Sequence, residues 1–101
     1  MDNTKEYILC AAIWFDDGVK REHEVNNIET GFVVCGRRHH NCFSLMYHLS
    51  NKDTSYLKLE KEQGFITSKN RFVDRYEATK IANAAFQTDK IEGQLYSEDL
   101  Y

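Results

Sequence analysis

The residues with the most chemistry in this chain are Gly36-Arg37-Arg38-His39-His40-Asn41. They follow a short apolar run, Phe32-Val33-Val34-Cys35, and precede an apolar-rich stretch from Cys42. Two arginines, two histidines and an amide therefore stand where a strand ends and a helix begins. Such a junction suits phosphate, because a helix N-terminus offers unpaired N–H groups and favours negative charge. Arginine adds fork-shaped donors. The chain as a whole carries a formal charge of -3, so these cations are local equipment. A non-specific nucleic-acid binder would instead show a broad basic face.

Other groupings invite other chemistry. His39, His40 and Cys42, with Cys35 or His48, suggest a metal site, but adjacent histidines point to different sides of a turn and zinc ligands come in spaced pairs. A thiolate nucleophile at Cys35 or Cys42 would need its pKa lowered by the helix end and the arginines. Cys10 and Cys35, however, lie within apolar runs and read as small core residues. Arg71 and Arg75 flank Phe72-Val73-Asp74. An arginine in the first turn of a helix opposes the helix dipole, so Arg75 calls for an anion: a ligand phosphate, or Asp74, Glu77 and the acids of the C-terminal segment. Phe65, Phe72, Trp14, Tyr96 and Tyr101 supply aromatic faces, one or two of which could stack on a purine. There are no paired acids in a catalytic setting, no Gly-x-Ser-x-Gly, no phosphate-loop lysine motif and no dinucleotide fingerprint. Binding without chemistry is the leaner explanation, and neither a metal nor a cofactor is expected.

The elements that must position these groups fit one domain of 101 residues. With 42% hydrophobic and 13% aromatic residues the chain is globular in composition. No apolar run approaches the ~20 residues of a membrane span. The polar N-terminus and three cysteines point to free thiols in a reducing cytoplasm. Glycines at 18, 31, 36, 64 and 93 punctuate a chain without proline. Tyr7 to Phe15 is continuous apolar and reads as a strand covered on both faces. Asp16-Asp17-Gly18 supplies turn chemistry, Val19 to Glu29 an edge strand or excursion, and Phe32 to Cys35 a second strand. Asn41 is positioned to cap a helix from Cys42 to Leu49, and Asp53 or Thr54 a short helix that Gly64 would end. Phe65 to Val73 reads as a hairpin around Ser68-Lys69-Asn70. Asp74 with Glu77 caps a helix whose stripe is Ala78, Ile81, Ala82 and Ala85. Leu95 to Tyr101 is too aromatic for a loose tail and is expected to dock. The class is α+β, a small antiparallel sheet with two or three short helices.

Ala11-Ala12-Ile13, Gly36-Arg37-Arg38-His39, Gln63-Gly64-Phe65, Arg71-Phe72-Val73-Asp74-Arg75-Tyr76-Glu77-Ala78 with Ile81-Ala82, and Leu95-Tyr96-Ser97-Glu98-Asp99-Leu100-Tyr101 occur in that order. This ordered set, spanning almost the whole chain, resembles the phage anti-Thoeris proteins of the first described type, sponges for TIR-derived cyclic ADP-ribose signals. Gln87 departs from the pattern, which has a small residue after Phe86. The resemblance implies an α+β fold, self-association, and sequestration of glycocyclic ADP-ribose without cleavage. It also implies that some members bind cyclic oligonucleotides of cGAS-like defence at separate sites.

Such a ligand carries a pyrophosphate, two riboses and an adenine. Arg37, Arg38, Arg71 and Arg75 suit the phosphates, and Phe65, Phe72 and Tyr96 the base. His39, His40, Asn41, Thr67, Ser68 and Asn70 suit ribose hydroxyls. Of Arg37 and Arg38 only one can face a given site, since neighbours in extended chain point opposite ways. The alternatives are a phosphodiesterase or hydrolase using His39 or His40 as general acid–base, and a protein–protein inhibitor. A homo-oligomer, at least a dimer, is expected, because a small domain has few walls for a large ligand.

Overall fold

Ile8–Phe15 form β1, and Phe32–Gly36, Glu60–Thr67 and Phe72–Asp74 form β2, β3 and β4. The computed structural model describes residues 5–100. Among these the strands make one antiparallel sheet in the order β2-β1-β3-β4. Helices α1 (His39–Leu49) and α2 (Arg75–Ala84) complete the α+β architecture expected from the sequence, with 3-10 helices at Thr54–Leu59 and Ser97–Asp99.

Alternation along the strands divides the core in two. Ala11, Ile13, Phe15, Val34, Phe65 and Val73 pack on the side that receives α1, α2 and the first 3-10 helix. Ala12, Ile66 and Phe72 pack on the other side with Cys10, Trp14 and Val33, under Val25 and Ile28 of the long β1–β2 connection. The β1–β3 register shifts between Ile8 and Cys10. That extra residue reverses the alternation, so Ile8 joins Ala11 and Phe65 in the helix-side cluster. Residues 19–29 are therefore an excursion that covers a sheet face, not an edge strand.

Three local expectations change. α1 begins at His39 with Arg38 as its cap, three residues before the expected start. Asn41 sits in the first turn, and its side-chain oxygen accepts the Arg38 backbone N–H at 3.0 Å. The amide still satisfies an orphan donor, but from inside the helix. Gly64 does not end the short helix, which is capped by Asp53 and stops where Glu60 turns extended. Gly64 lies inside β3, where a Cβ would stand 2.0 Å from the Val73 carbonyl oxygen. Close approach of β4 thus excludes any side chain there. Finally, Cys35 is exposed and Cys10 only half-buried, because β2 is an edge strand and the connection covers its face incompletely.

The hairpin β3–β4 and the Asp74-capped helix form as expected, the Asp74 carboxylate accepting the Glu77 N–H at 2.8 Å. Ala78 and Ala82 are fully buried, whereas Ala85 is the C-cap. The C-terminal segment docks: Leu95 is fully buried, and Leu100 packs on the same cluster. Tyr101 lies outside the described residues.

Candidate functional site

Four segments distant in sequence meet around the N-terminus of α1. The extended backbone of Arg38 turns into the helix and directs its guanidinium toward the C-terminal segment, 3.4 Å from Ser97 Oγ and 3.8 Å from the Glu98 carboxylate. The next residue, His39, places Nε2 2.8 Å from the Gly64 carbonyl oxygen. Its ring stands edge-on to Phe65, with centroids 5.2 Å apart. Burial pulls the His39 pKa below the usual imidazole range, and the nearby Arg75 cation adds to this while the Gly64 carbonyl and Glu98 oppose it.

Arg75, in the first turn of α2, is the second arm. It donates to the Leu95 carbonyl and to Gln63 Oε1, both at 2.9 Å, and lies over the Tyr96 ring at 4.8 Å from its centroid. Burial lowers the Arg75 pKa, which neighbouring Tyr96, Glu98 and Glu62 partly offset. Lys90 approaches the same ring at 4.9 Å and donates to Asp99 at 2.9 Å. The first turn of α1 contains no acid. Arg75 and Lys90 thus lie over one aromatic ring, and the Arg38 guanidinium reaches the adjoining Ser97–Glu98 residues from a helix N-terminus, an arrangement able to receive a phosphate and a flat ring together.

Of the candidates read from sequence, Arg38, His39, Arg75 and Tyr96 are brought together here. Arg38, half-buried, is the member of its pair that joins the group; Arg37 and His40 are exposed at the same end of α1. Asn41 serves the helix start. Phe65 is fully buried and Phe72 is 6% exposed, so both correct the expectation of a ring open to a base: Phe65 backs His39, and Phe72 packs edge-on to Trp14 at 6.2 Å. Phe72 instead lines a separate groove of about 290 Å³ with Trp14, Ile28, Lys61, Asp74 and Glu77. Its acidic side is a poor match for phosphate.

Thr67, Ser68, Asn70 and Arg71 form a different cluster around the β3–β4 turn. Arg71 grips Glu6 with two donors at 2.8 and 2.9 Å, and buried Thr67 also donates to that carboxylate. Ser68 Oγ accepts the Tyr7 N–H, and Asn70 takes positive φ in the turn. The Arg71 hydrogen bond holds Glu6 down at about 2, helped by Thr67 and opposed by desolvation. These residues knit the N-terminal segment to the hairpin.

Gln63, Ser97 and Lys90 belong to the site and were missed, and Glu98 was read only as one of the C-terminal acids able to neutralise Arg75. Lys90 stands in a stretch without periodicity, and Gln63 was read only as part of a motif. The thiol chemistry has no support at Cys42, where burial pushes the pKa up to about 11; its Sγ faces the Ala11 carbonyl at 3.7 Å. Among the described residues no group of three or more His, Cys, Asp or Glu side chains could hold a metal ion.

Fold and site together define a small α+β domain with a cluster of cationic side chains at a strand-to-helix junction. The family described as phage T4 y16D protein matches residues 7–101, and the chain belongs to that phage protein family. No curated protein and no solved structure matches the chain. Among the described residues no helix is long and apolar enough to cross a membrane.

Proposed function

We propose that this phage protein binds and retains a cyclic ADP-ribose-type signal, glycocyclic ADP-ribose, without cleaving it, and so blocks Thoeris immunity. The observation that carries the proposal is the convergence of Arg38 and Arg75 on the Leu95–Glu98 segment. In this account the guanidinium groups take the pyrophosphate and Tyr96 takes the adenine. His39 is held by the Gly64 carbonyl, which favours a wall of the site over a general acid–base. Cyclic oligonucleotides of cGAS-like defence present the same phosphates and bases and are further candidate ligands. The proposal places the protein in the host cytoplasm, where such signals form.

The proposed assembly is a homo-oligomer with pockets completed by a second chain near the C-terminal segment. Exposed apolar residues on α1 (Leu45, Leu49) and beyond α2 (Phe86, Ile91) support it. Calorimetry with a panel of cyclic nucleotides tests the binding. Heat with glycocyclic ADP-ribose that is reduced in Arg38→Ala supports it. No heat from any nucleotide, with binding to a defence protein instead, would establish the inhibitor reading.

A further inference from the structure

The groove at Trp14 and Phe72 lies on the sheet face away from the helices, and none of Arg38, His39, Arg75 or Tyr96 lines it. The register pairs Trp14 with Glu62, Gly64 with both Ala12 and Asp74, and Ile66 with Phe72, so these positions share that face. Gly64 has no side chain there, and the Phe72 ring lies across it, its Cζ 3.0 Å from where a Cβ would stand. Trp14 meets Phe72 edge-on at 6.2 Å, and the two rings line a groove of about 290 Å³. Asn27 holds both the N–H and the carbonyl of Phe72, which fixes the wall made by Asn27 and Ile28. The Trp14 indole N–H donates to the Thr30 carbonyl at 3.0 Å, so the ring face is the surface left for a ligand.

The chain itself shows what that face accepts. Lys61 Nζ stands 4.9 Å from the Trp14 ring centroid, within the range of cation–π attraction. Its side chain is 54% exposed and its ammonium is 3.8 Å from Asp16, so it is held loosely. Against this one cation the groove presents three exposed carboxylates, Glu62, Asp74 and Glu77. Asp74 also caps α2 by accepting the Glu77 N–H. Arg71 comes within 3.6 Å of Glu77 but is gripped more closely by Glu6.

We propose that this groove binds a linear aliphatic polyamine, with its ammonium groups on the rim carboxylates and its methylenes over Trp14 and Phe72. The excess of acids decides the sign of the ligand, and their placement decides its shape. They come from β3, from the end of β4 and from the first turn of α2. Among the described residues no group of three or more His, Cys, Asp or Glu side chains could hold a metal ion, so the three charges do not converge on a point. A single ammonium would leave carboxylates unmatched, whereas a polyamine spaces its charges with apolar links that suit aromatic surface. One ammonium would take the Trp14 face in place of Lys61, the contact that organic cations make with aromatic rings. This inference does not rest on the nucleotide proposal.

Trp14 is the single tryptophan of the chain, so its fluorescence reports the groove directly. Spermidine is the probe, titrated into the whole protein at low ionic strength with calorimetry beside fluorescence. The expected result is a saturable change, weaker binding of putrescine, weaker still of butylamine, and an affinity that falls as sodium chloride rises. Glu62→Gln should weaken spermidine binding about threefold, the scale of an exposed ion pair. Lys61→Gln removes the competing cation and should tighten binding by about the same factor. Both side chains are exposed, so the melting temperature should hold in each variant. No saturable change at Trp14, an equal response to magnesium at matched ionic strength, or unchanged affinity in Glu62→Gln would each overturn the proposal. Tighter binding of Nα-acetyl-lysine methylamide than of spermidine would also overturn it, in favour of a lysine side chain from another protein.

Discussion

Arg38 and Arg71 show how two arginines of one chain take different work. Arg71 satisfies Glu6 through both arms of its guanidinium, which makes it a tie within the fold. Arg38 faces the Ser97 hydroxyl at 3.4 Å and the Glu98 carboxylate at 3.8 Å, on the segment where the proposed phosphate is placed. Arg38→Ala should therefore weaken cyclic-nucleotide binding by about 2 kcal/mol, roughly thirtyfold, while the melting temperature holds. Calorimetry beside thermal melting checks both halves. Arg71→Ala should do the reverse, lowering stability and leaving affinity per folded molecule unchanged. The Glu6 shift also sets an acid limit. Its folded pKa is about 2 against an ordinary value of 4.5, so its stabilisation is present above pH 4.5 and is lost as pH falls toward 2. Denaturant titrations across that window should show the loss in the wild type and a flatter profile in Glu6→Gln.

At the scale of elements, exposed backbone is closed by side chains. The Gln87 carboxamide accepts from Ile8 N and donates to Ile8 O, both at 2.7 Å, covering the part of β1 that runs past β2. Asn27 makes the same double contact with Phe72 on edge strand β4, and Glu24 accepts the Val33 N–H of β2. Unpaired strand edges invite aggregation, and such covers blunt them. Gln87, the departure from the family-like pattern, is thus a structural clamp. Gln87→Ala should cost about 2 kcal/mol and lower the melting temperature by about 10 °C. Gly64→Ala should be worse, a loss of about 3 kcal/mol or more, since the added methyl meets the Val73 carbonyl; soluble yield and melting temperature report it.

β1, the hairpin and α2 were legible in the sequence because their signals are local: an apolar run, a turn triplet, and Asp74 with Glu77 before an alanine stripe. Gly64 was misassigned for the opposite reason. Glycine after a polar stretch resembles a helix end, and the constraint on it comes from β4 across the ladder. The site was half legible. Residue types marked Arg38, His39, Arg75 and Tyr96, but Arg71 and Arg75 diverge because their partners lie 65 and 20 residues away. Aromatic type alone also could not separate Tyr96, on the surface, from Phe65, in the core.

The whole molecule is a small phage domain whose candidate site is built largely from strand ends, helix starts and a docked C-terminal segment. One such domain offers a large nucleotide few walls, so the account expects copies to complete each other's sites. Light scattering at micromolar concentration should give at least a dimer, and deletion of residues 95–101 should reduce both assembly and binding. A strict monomer with full affinity would remove the shared pocket. The central claim, retention of an intact cyclic ADP-ribose-type nucleotide, is tested most directly by incubating the protein with the product of an activated TIR enzyme, removing unbound material, denaturing, and identifying what is released by mass spectrometry. The account predicts the intact cyclic nucleotide, in amounts that fall when Arg38 or Arg75 is replaced. Release of a linearised product, or of no nucleotide at all, would contradict it.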